Sequence, residues 1–487
     1  MTNFNRLLGV CLAGAFLLAG CGGGGGGASS AGINGGGAPA APTSAFAKGT
    51  ITGFGSIFVN GVEYSTSGAH FRIDDNPGVE SDLRVGQVVA IQGTINSNGT
   101  TGTATTVTFN NEVEGPVSAL DRLLGTFTVL GQTVRVNATT TYDDSSLAGG
   151  LAVLNNGDVV EVTGFRNGVA AGGAGEIVAT RIQRRTGGIA SPFEVTGKVS
   201  NLVGSTFNIG FLGVSFAGVV PTDGTLANDG CAEVKGTSFT QAGLLVATSV
   251  EVKSCGFAAT SGARGEIEGI ITVFRSAADF DIGGQTINTT ASTTIVTNGL
   301  AGGLRANIKV EAEGSFNASG VLVATKVEIK PETELRLLGN IQALSATAGT
   351  VVVNGVTIQL SLVTRYEDKS SARVTSFDFA DLRTGDYVEI RGFAGAVANT
   401  IQGVILERDD NDTRHELQGF ASNVSDPTLV ILGVTANTTG AQFRDINDLP
   451  MNRADFFAQA NGRLVKVRGT WNGSTFLANQ EAQIESP

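Results

Sequence analysis

Histidine and the large aromatic residues are nearly missing from this chain: its 487 residues hold two histidines, one tryptophan and four tyrosines. His70 and His415 lie far apart, with no cysteine or recurring carboxylate spacing beside either to complete a zinc site. Gly-x-Ser-x-Gly, His-Glu-x-x-His and Gly-x-x-x-x-Gly-Lys-[Ser/Thr] are also missing, so the usual motifs for an activated serine, a zinc protease helix and a phosphate-binding loop are not there. The expectation is therefore a non-enzymatic chain with no catalytic residue, no metal site and no cofactor. Positive charge is scarce as well: 32 Lys and Arg face 44 Asp and Glu, a net charge of −12. Phosphate backbones are held mainly by Lys and Arg, so nucleic acid is not an expected partner. No stretch of eighteen consecutive apolar residues occurs, which leaves no candidate for a membrane-spanning helix. Proline is scarce at 10 residues.

Glycine is abundant instead, 69 residues or about 14%, twice the ordinary share, as expected of many tight turns between short strands. Much of it is periodic. A Gly-x-x-Val-x-Val-x-Gly pattern, or a close variant, recurs six times, closing on Gly93, Gly164, Gly236, Gly314, Gly392 and Gly469. A fixed period near seventy-five residues marks one unit copied six times. Opening glycines stand at Gly49, Gly115, Gly197, Gly269, Gly339 and, in weaker form, Gly419, and turn glycines at Gly61, Gly131, Gly213, Gly284, Gly355 and Gly433. Four and two residues before each turn glycine the chain is apolar: Ile57 and Val59, Phe127 and Val129, Ile209 and Phe211, Phe280 and Ile282, Val351 and Val353, Leu429 and Ile431. Alternation of this kind defines a strand with one buried face. A third strand, a variable loop or short helix, the Val-x-Val strand and a closing strand such as Leu322 to Ile329 complete each unit. Five short strands with an insertion between the third and fourth match the OB-type barrel, and the units are too long for propeller blades.

The expected organisation is all-β: a signal peptide at 1–20, a lipidated cysteine and Gly/Ala/Ser/Pro-rich tether at 21–47, then OB-like modules at 48–112, 113–190, 191–260, 261–331, 332–412 and 413–487. Arg6 followed by the thirteen apolar residues Leu7 to Ala19 reads as an export signal. The junction Leu18-Ala19-Gly20-Cys21 resembles a lipobox, which makes Cys21 the expected site of lipid attachment. The modules are expected to stand separately in a row.

Two further cysteines, Cys231 and Cys255, lie in the third module. A hairpin turning at Gly243 sets them opposite each other, and outside the cytoplasm such a pair is expected to oxidise to a disulfide. Acidic residues follow the third strand at Asp74-Asp75, Asp143-Asp144, Glu367-Asp368 and Asp445, and Asp409-Asp410-Asn411-Asp412 separates the last two modules. Weak calcium binding is one reading of these loops; helix capping and solvated turns are the other. None has the twelve-residue ligand spacing that ends in glutamate. The two histidines are expected to be solvated. Most aromatics of the second strand fall on inward positions, and the outward Phe58 has no counterpart in the other copies, leaving no repeated platform on which bases or sugars could stack.

The lipobox with its polyglycine tether, the opening Gly53-Phe54-Gly55-Ser56-Ile57-Phe58-Val59-Asn60-Gly61 and the recurring Gly-Asp-x-Val-Glu-[Val/Ile]-x-Gly strand resemble a family of bacterial surface lipoproteins built from tandem OB-like domains without an assigned function. The third and fourth modules depart from the pattern at Gly230 to Gly236 and Ala306 to Val310. The resemblance implies attachment to the cell envelope, most simply the outer membrane, through a lipid anchor. It implies no chemistry. The expected role is structural or binding toward an unknown ligand, polysaccharide or other envelope proteins being the candidate partners; the alternative is a receptor or adhesin that binds envelope polysaccharide.

Overall fold

A computed structural model describes residues 42–485 apart from 123, 144–145, 148, 169–174, 186–192, 258, 299, 301, 332, 334, 396–399 and 447. The signal peptide, the tether up to residue 41 and Cys21 lie outside the described residues. In the fifth module the opening strand Leu335–Ser345 pairs antiparallel with both Thr350–Val353 and Tyr387–Ala394. Thr350–Val353 turns into Val356–Gln359, which runs parallel to the closing strand Thr400–Asp409. That strand pairs back onto Tyr387–Ala394, so the five strands close in a ring in the OB order. The first module repeats the ring with Thr43–Gly53, Ile57–Val59, Val62–Ser65, Val88–Ile95 and Thr101–Phe109. The other four barrels follow suit, and the insertion before the fourth strand shortens to a helical turn, Phe379–Asp381, or to the helix Arg453–Gln459 capped by Asn452.

Each recurring glycine has a steric cause. All six closing glycines sit beside a β-bulge whose extra residue lies on the closing strand, Thr105 opposite Gly93 and Val404 opposite Gly392 among them. A Cβ there would overlap a backbone carbonyl of the closing strand, Thr103 at Gly93 and Gln402 at Gly392 among them. The bulge bends the strand enough for five short strands to close. In five barrels the second hairpin turns on two residues with positive φ, such as Asn60 at 54° and Gly61 at 77°, the mirror-image turn whose twist suits a tight hairpin. The third barrel shifts this register. Its hairpin turns at Gly210 and Phe211, so Phe207 and Ile209 form the buried pair and Phe211 is 69% exposed. The expected inward position of Phe211 is thus corrected: glycine takes the first turn position here, not the second.

The first barrel also begins earlier than expected. Thr43 to Ala47, assigned above to the tether, extend the opening strand, and Ala45, Phe46 and Ala47 are buried. Their outer edge pairs in parallel with Arg264–Ser276, the opening strand of the fourth barrel. The opening strands of the second and third barrels pair antiparallel, Glu114 opposite Glu194, and those of the fifth and sixth do the same, Leu338 opposite Glu416. Three sheets result, each holding two barrels. The second and third barrels share one apolar core and the fifth and sixth share another, whereas the first and fourth have a core each, with Phe46 of the first barrel packed into that of the fourth.

The sheets touch in turn. Val88, Phe165 and Ile270 of the first, second and fourth barrels form a small apolar cluster. Arg365 and Arg391 of the fifth barrel donate to the carbonyls of Thr139 and Ala138 in the second, at 2.7 and 2.8 Å. The expectation of separate modules in a row is therefore overturned. Each opening strand offers a free edge after closing its own barrel, and an unpaired edge is a template for another strand.

Candidate functional site

The polar chemistry of the described residues concentrates where barrels meet. One buried amide seals each pair. Asn60 Nδ2 donates to the carbonyls of Lys48 and Glu266 at 3.0 and 3.1 Å. Gln132 Nε2 donates to Leu130 and Ile209, and Asn354 Nδ2 to Leu338 and Glu416. His415, expected to be solvated, instead meets Asn354 Oδ1 at 2.6 Å in the seam of the fifth and sixth barrels, where burial lowers its pKa. His70 stays exposed on a strand of the first barrel.

The densest cluster lies over the seam of the second and third barrels. Asp74 and Asp75, both at positive φ, form the two-residue turn between His70–Ile73 and Asn76–Gly78 of the first barrel. That turn reaches the third barrel. Lys253 Nζ stands 3.0 Å from Asp75, 3.2 Å from Glu233 and 2.6 Å from Glu251, while Lys235 meets Asp75 at 3.5 Å and Glu233 at 3.2 Å. Asp75, Glu233 and Glu251 are the one carboxylate group among the described residues spaced to hold a metal ion. The Lys253 ammonium contacts all three, so the place of a cation is already taken.

Around this turn acids outnumber bases, and burial shifts the acids. Burial pushes Glu194 up to about 8, with Glu233 adding to the effect and Lys235 opposing it. It pushes Glu161 up to about 7 against the attraction of Arg185. Asp368, Asp143 and Asp445 of the other acidic loops serve local structure. Asp368 accepts from Nε and Nη2 of Arg408 and from the amides of Ser370 and Val374. Asp143 accepts from Ser146, and Asp445 accepts from the amide of Leu449.

The seam of the fifth and sixth barrels is open. A cleft of about 210 Å³ there is lined by Arg336, Glu389, Asp409, Glu416 and Arg468 among others. Arg336 holds Glu389 at 2.7 Å and Glu416 at 3.0 Å, and Arg468 holds Glu416 at 2.8 Å. Sequence reasoning missed this site, because neither half of it exists until two modules pair.

Cys231 and Cys255 are joined, with Cα atoms 5.3 Å apart. The hairpin register differs from the expected one: Cys231 faces Lys253, and Cys255 lies two residues past the strand. The segment beyond the disulfide crosses to the fourth barrel, where the amide of Phe257 donates to Gln285 Oε1 and its ring packs on Phe46 at 4.6 Å.

Fold and seams together define a tandem array of OB-type barrels joined in pairs through shared sheets. The chain belongs to the family described as domain of unknown function DUF5666, whose model matches residues 48–108, 114–183, 268–328 and 339–399. Those stretches fall in the first, second, fourth and fifth barrels; the third and sixth repeat the topology outside them. No curated protein matches the chain. Among solved structures it is similar to one titled "drosophila Unr CSD456", at 15% identity over 46% of this chain and 98% of that chain, with a TM-score of 0.12. A score that low carries no argument.

Proposed function

We propose that this chain is an exported lipoprotein, held in the bacterial cell envelope by Cys21, that presents its six paired barrels in a non-enzymatic structural or binding role. The observation that carries this reading is where the buried ionisable groups go. Glu114, Glu161, Glu194, Glu233, Glu389 and Glu416 all form ion pairs at barrel seams. Catalytic acids and bases need freedom to change partners during a reaction, and these carboxylates are already engaged by Arg185, Lys235 and Arg336, the last of which also ties the fifth barrel to Glu416 of the sixth. The Cys231–Cys255 disulfide is consistent with an oxidising compartment.

A second reading, a receptor for envelope polysaccharide, draws on the polar cleft between the fifth and sixth barrels. Nucleic acid is not an expected ligand, because the net charge of −12 repels phosphates. The test is Cys21→Ala in an exporting host, followed by fatty-acid labelling and membrane fractionation. Stable anchoring takes more than one acyl chain, so the variant should be unlabelled and recovered in the soluble fraction. Membrane retention of the variant after a high-salt wash would reject the anchor.

A further inference from the structure

The seams of the second and third barrels and of the fifth and sixth are copies of each other. Glu114 opposite Glu194 and Leu338 opposite Glu416 occupy the same places relative to the opening glycines Gly115, Gly197, Gly339 and Gly419. Glu161 and Glu389 both stand three residues before a closing glycine, and Lys235 and Arg468 both stand one before. Arg185 donates its amide to the Val159 carbonyl, and Asp409 registers opposite Tyr387, the residue equivalent to Val159. The turn of the first barrel touches its seam through Asp75, 3.5 Å from Lys235 and 3.0 Å from Lys253, and the charge of Asp74 beside it acts on Glu114, Glu161, Arg185, Glu194 and Lys235. Their five counterparts, Leu338, Glu389, Asp409, Glu416 and Arg468, all line the open cleft. One seam is thus a socket filled by a turn of the same chain, and the other is its unfilled copy.

The charge of the copy is changed. Arg185, a base facing the acidic turn, is replaced by Asp409, and Asp410 and Asp412 add carboxylates from the connection between the barrels, while Glu112 and Glu114 give way to Arg336 and Leu338. The cleft keeps five carboxylates, Glu389, Asp409, Asp410, Asp412 and Glu416, against the three arginines Arg336, Arg414 and Arg468. The arginines of the cleft are engaged by Glu389, Glu416, Glu481 and Asp412. Asp409 Oδ1 accepts the amide of Asp410, Asp410 Oδ1 accepts the amide and hydroxyl of Ser371, and the charge of Arg373 acts on Asp410.

We propose that the cleft between the fifth and sixth barrels is a docking socket for a tight turn of a partner polypeptide carrying lysine or arginine at its tip. This rests on the binding role proposed above and names the partner's chemistry. The occupant is a polypeptide turn because that is what the filled copy holds, and it is cationic because complementary charge selects partners.

The probe is a cyclised hairpin peptide copying residues 70–78, the turn that fits the filled seam, with Asp74 and Asp75 replaced by lysine. Titrated into the unlipidated full-length chain, it should bind at least about tenfold tighter than the parent peptide or one with serine at both positions, and should weaken with salt. Asp409→Asn should weaken it. Asp409→Arg, which restores the residue of the filled seam, should shift preference to the parent acidic peptide. Equal binding of all three peptides, or no effect of the Asp409 variants, would overturn the proposal. So would uptake of neutral oligosaccharide, unaffected by salt, by a cleft that ignores the peptides. Anchoring through Cys21 is read by fractionation alone, so either idea can fail without the other.

Discussion

At the residue scale, the six closing glycines are the least replaceable positions. Gly392 has ordinary backbone angles, yet its missing Cβ makes room for the Gln402 carbonyl and the Ile401 side chain. Gly385, seven residues earlier, has φ +95° and open space around it. The two glycines are therefore kept for different reasons, one for space and one for backbone conformation. Gly392→Ala should cost roughly 3 kcal/mol, since carbonyl and bulge must both move, whereas Gly385→Ala should cost only about 1 kcal/mol of backbone strain. Urea unfolding of both variants checks the order. A Gly392→Ala chain no less stable than Gly385→Ala would mean that the bulge relaxes freely. Lys253 makes the complementary point. Its ammonium, among Asp75, Glu233 and Glu251, supplies from within the chain the charge that a bound cation would otherwise bring.

At the element scale, the hairpin Cys231–Phe239 to Leu245–Lys253 is closed twice, by its ladder and by the disulfide beyond it. The bridge spans a separation of 24 residues, so the chain-entropy model gives it about 3 kcal/mol, less any structure kept in the unfolded chain. Replacing both cysteines with serine should lower stability by about that amount and speed amide exchange at Phe257, whose position against Phe46 follows directly on the bridge. Exchange mass spectrometry reads the second effect, and an unchanged rate at Phe257 would show that the linker is held by Gln285 and Phe46 alone.

The same elements show what could be read from the sequence. Strands, buried faces and turns were legible because period-two alternation and glycine spacing are local; Ile57 with Val59 and Val351 with Val353 are buried as expected. The register of the third barrel was misread because Gly210 precedes Phe211 where other barrels place glycine second. The pairing of barrels was not legible. Asn60 reaches a carbonyl 206 residues away, and no local pattern records which free edge meets which. For the same reason Asp74-Asp75 could be read only as a weak calcium loop or a capping or solvated turn, and the cleft between the fifth and sixth barrels had no signal at all.

At the scale of the whole molecule, the two copied seams respond to protons in opposite ways. Glu161 and Glu389 occupy equivalent positions. Burial pushes Glu161 up to about 7, because Arg185 is outweighed by that burial together with nearby Asp74 and Glu114. Burial also acts on Glu389, but Arg391 and Arg336 overcome it and hold its carboxyl well below the usual range. The folded chain therefore binds the Glu161 proton more tightly than the unfolded chain does. The stability this brings is complete below the ordinary glutamate pKa of 4.5 and is lost as pH rises toward about 7. Glu194, raised to about 8 by burial and by Glu233, extends the loss to higher pH. Glu389 has the opposite sign: its contribution is present above 4.5 and is lost as pH falls below that. A tenfold change in proton affinity corresponds to about 1.4 kcal/mol, so Glu161 alone accounts for up to about 3 kcal/mol between about pH 4.5 and 8. Melting temperatures measured from about pH 3 to 9 should fall on both sides of a mildly acidic maximum. Glu161→Gln, which keeps the shape and removes the titration, should flatten the alkaline limb and leave the acid limb alone. Glu389→Gln should lower stability at neutral pH and flatten the acid limb. If Glu161→Gln left the alkaline limb as steep as in the parent chain, the seam of the second and third barrels would not be storing protons, and its excess acids would have to be balanced by bound cations.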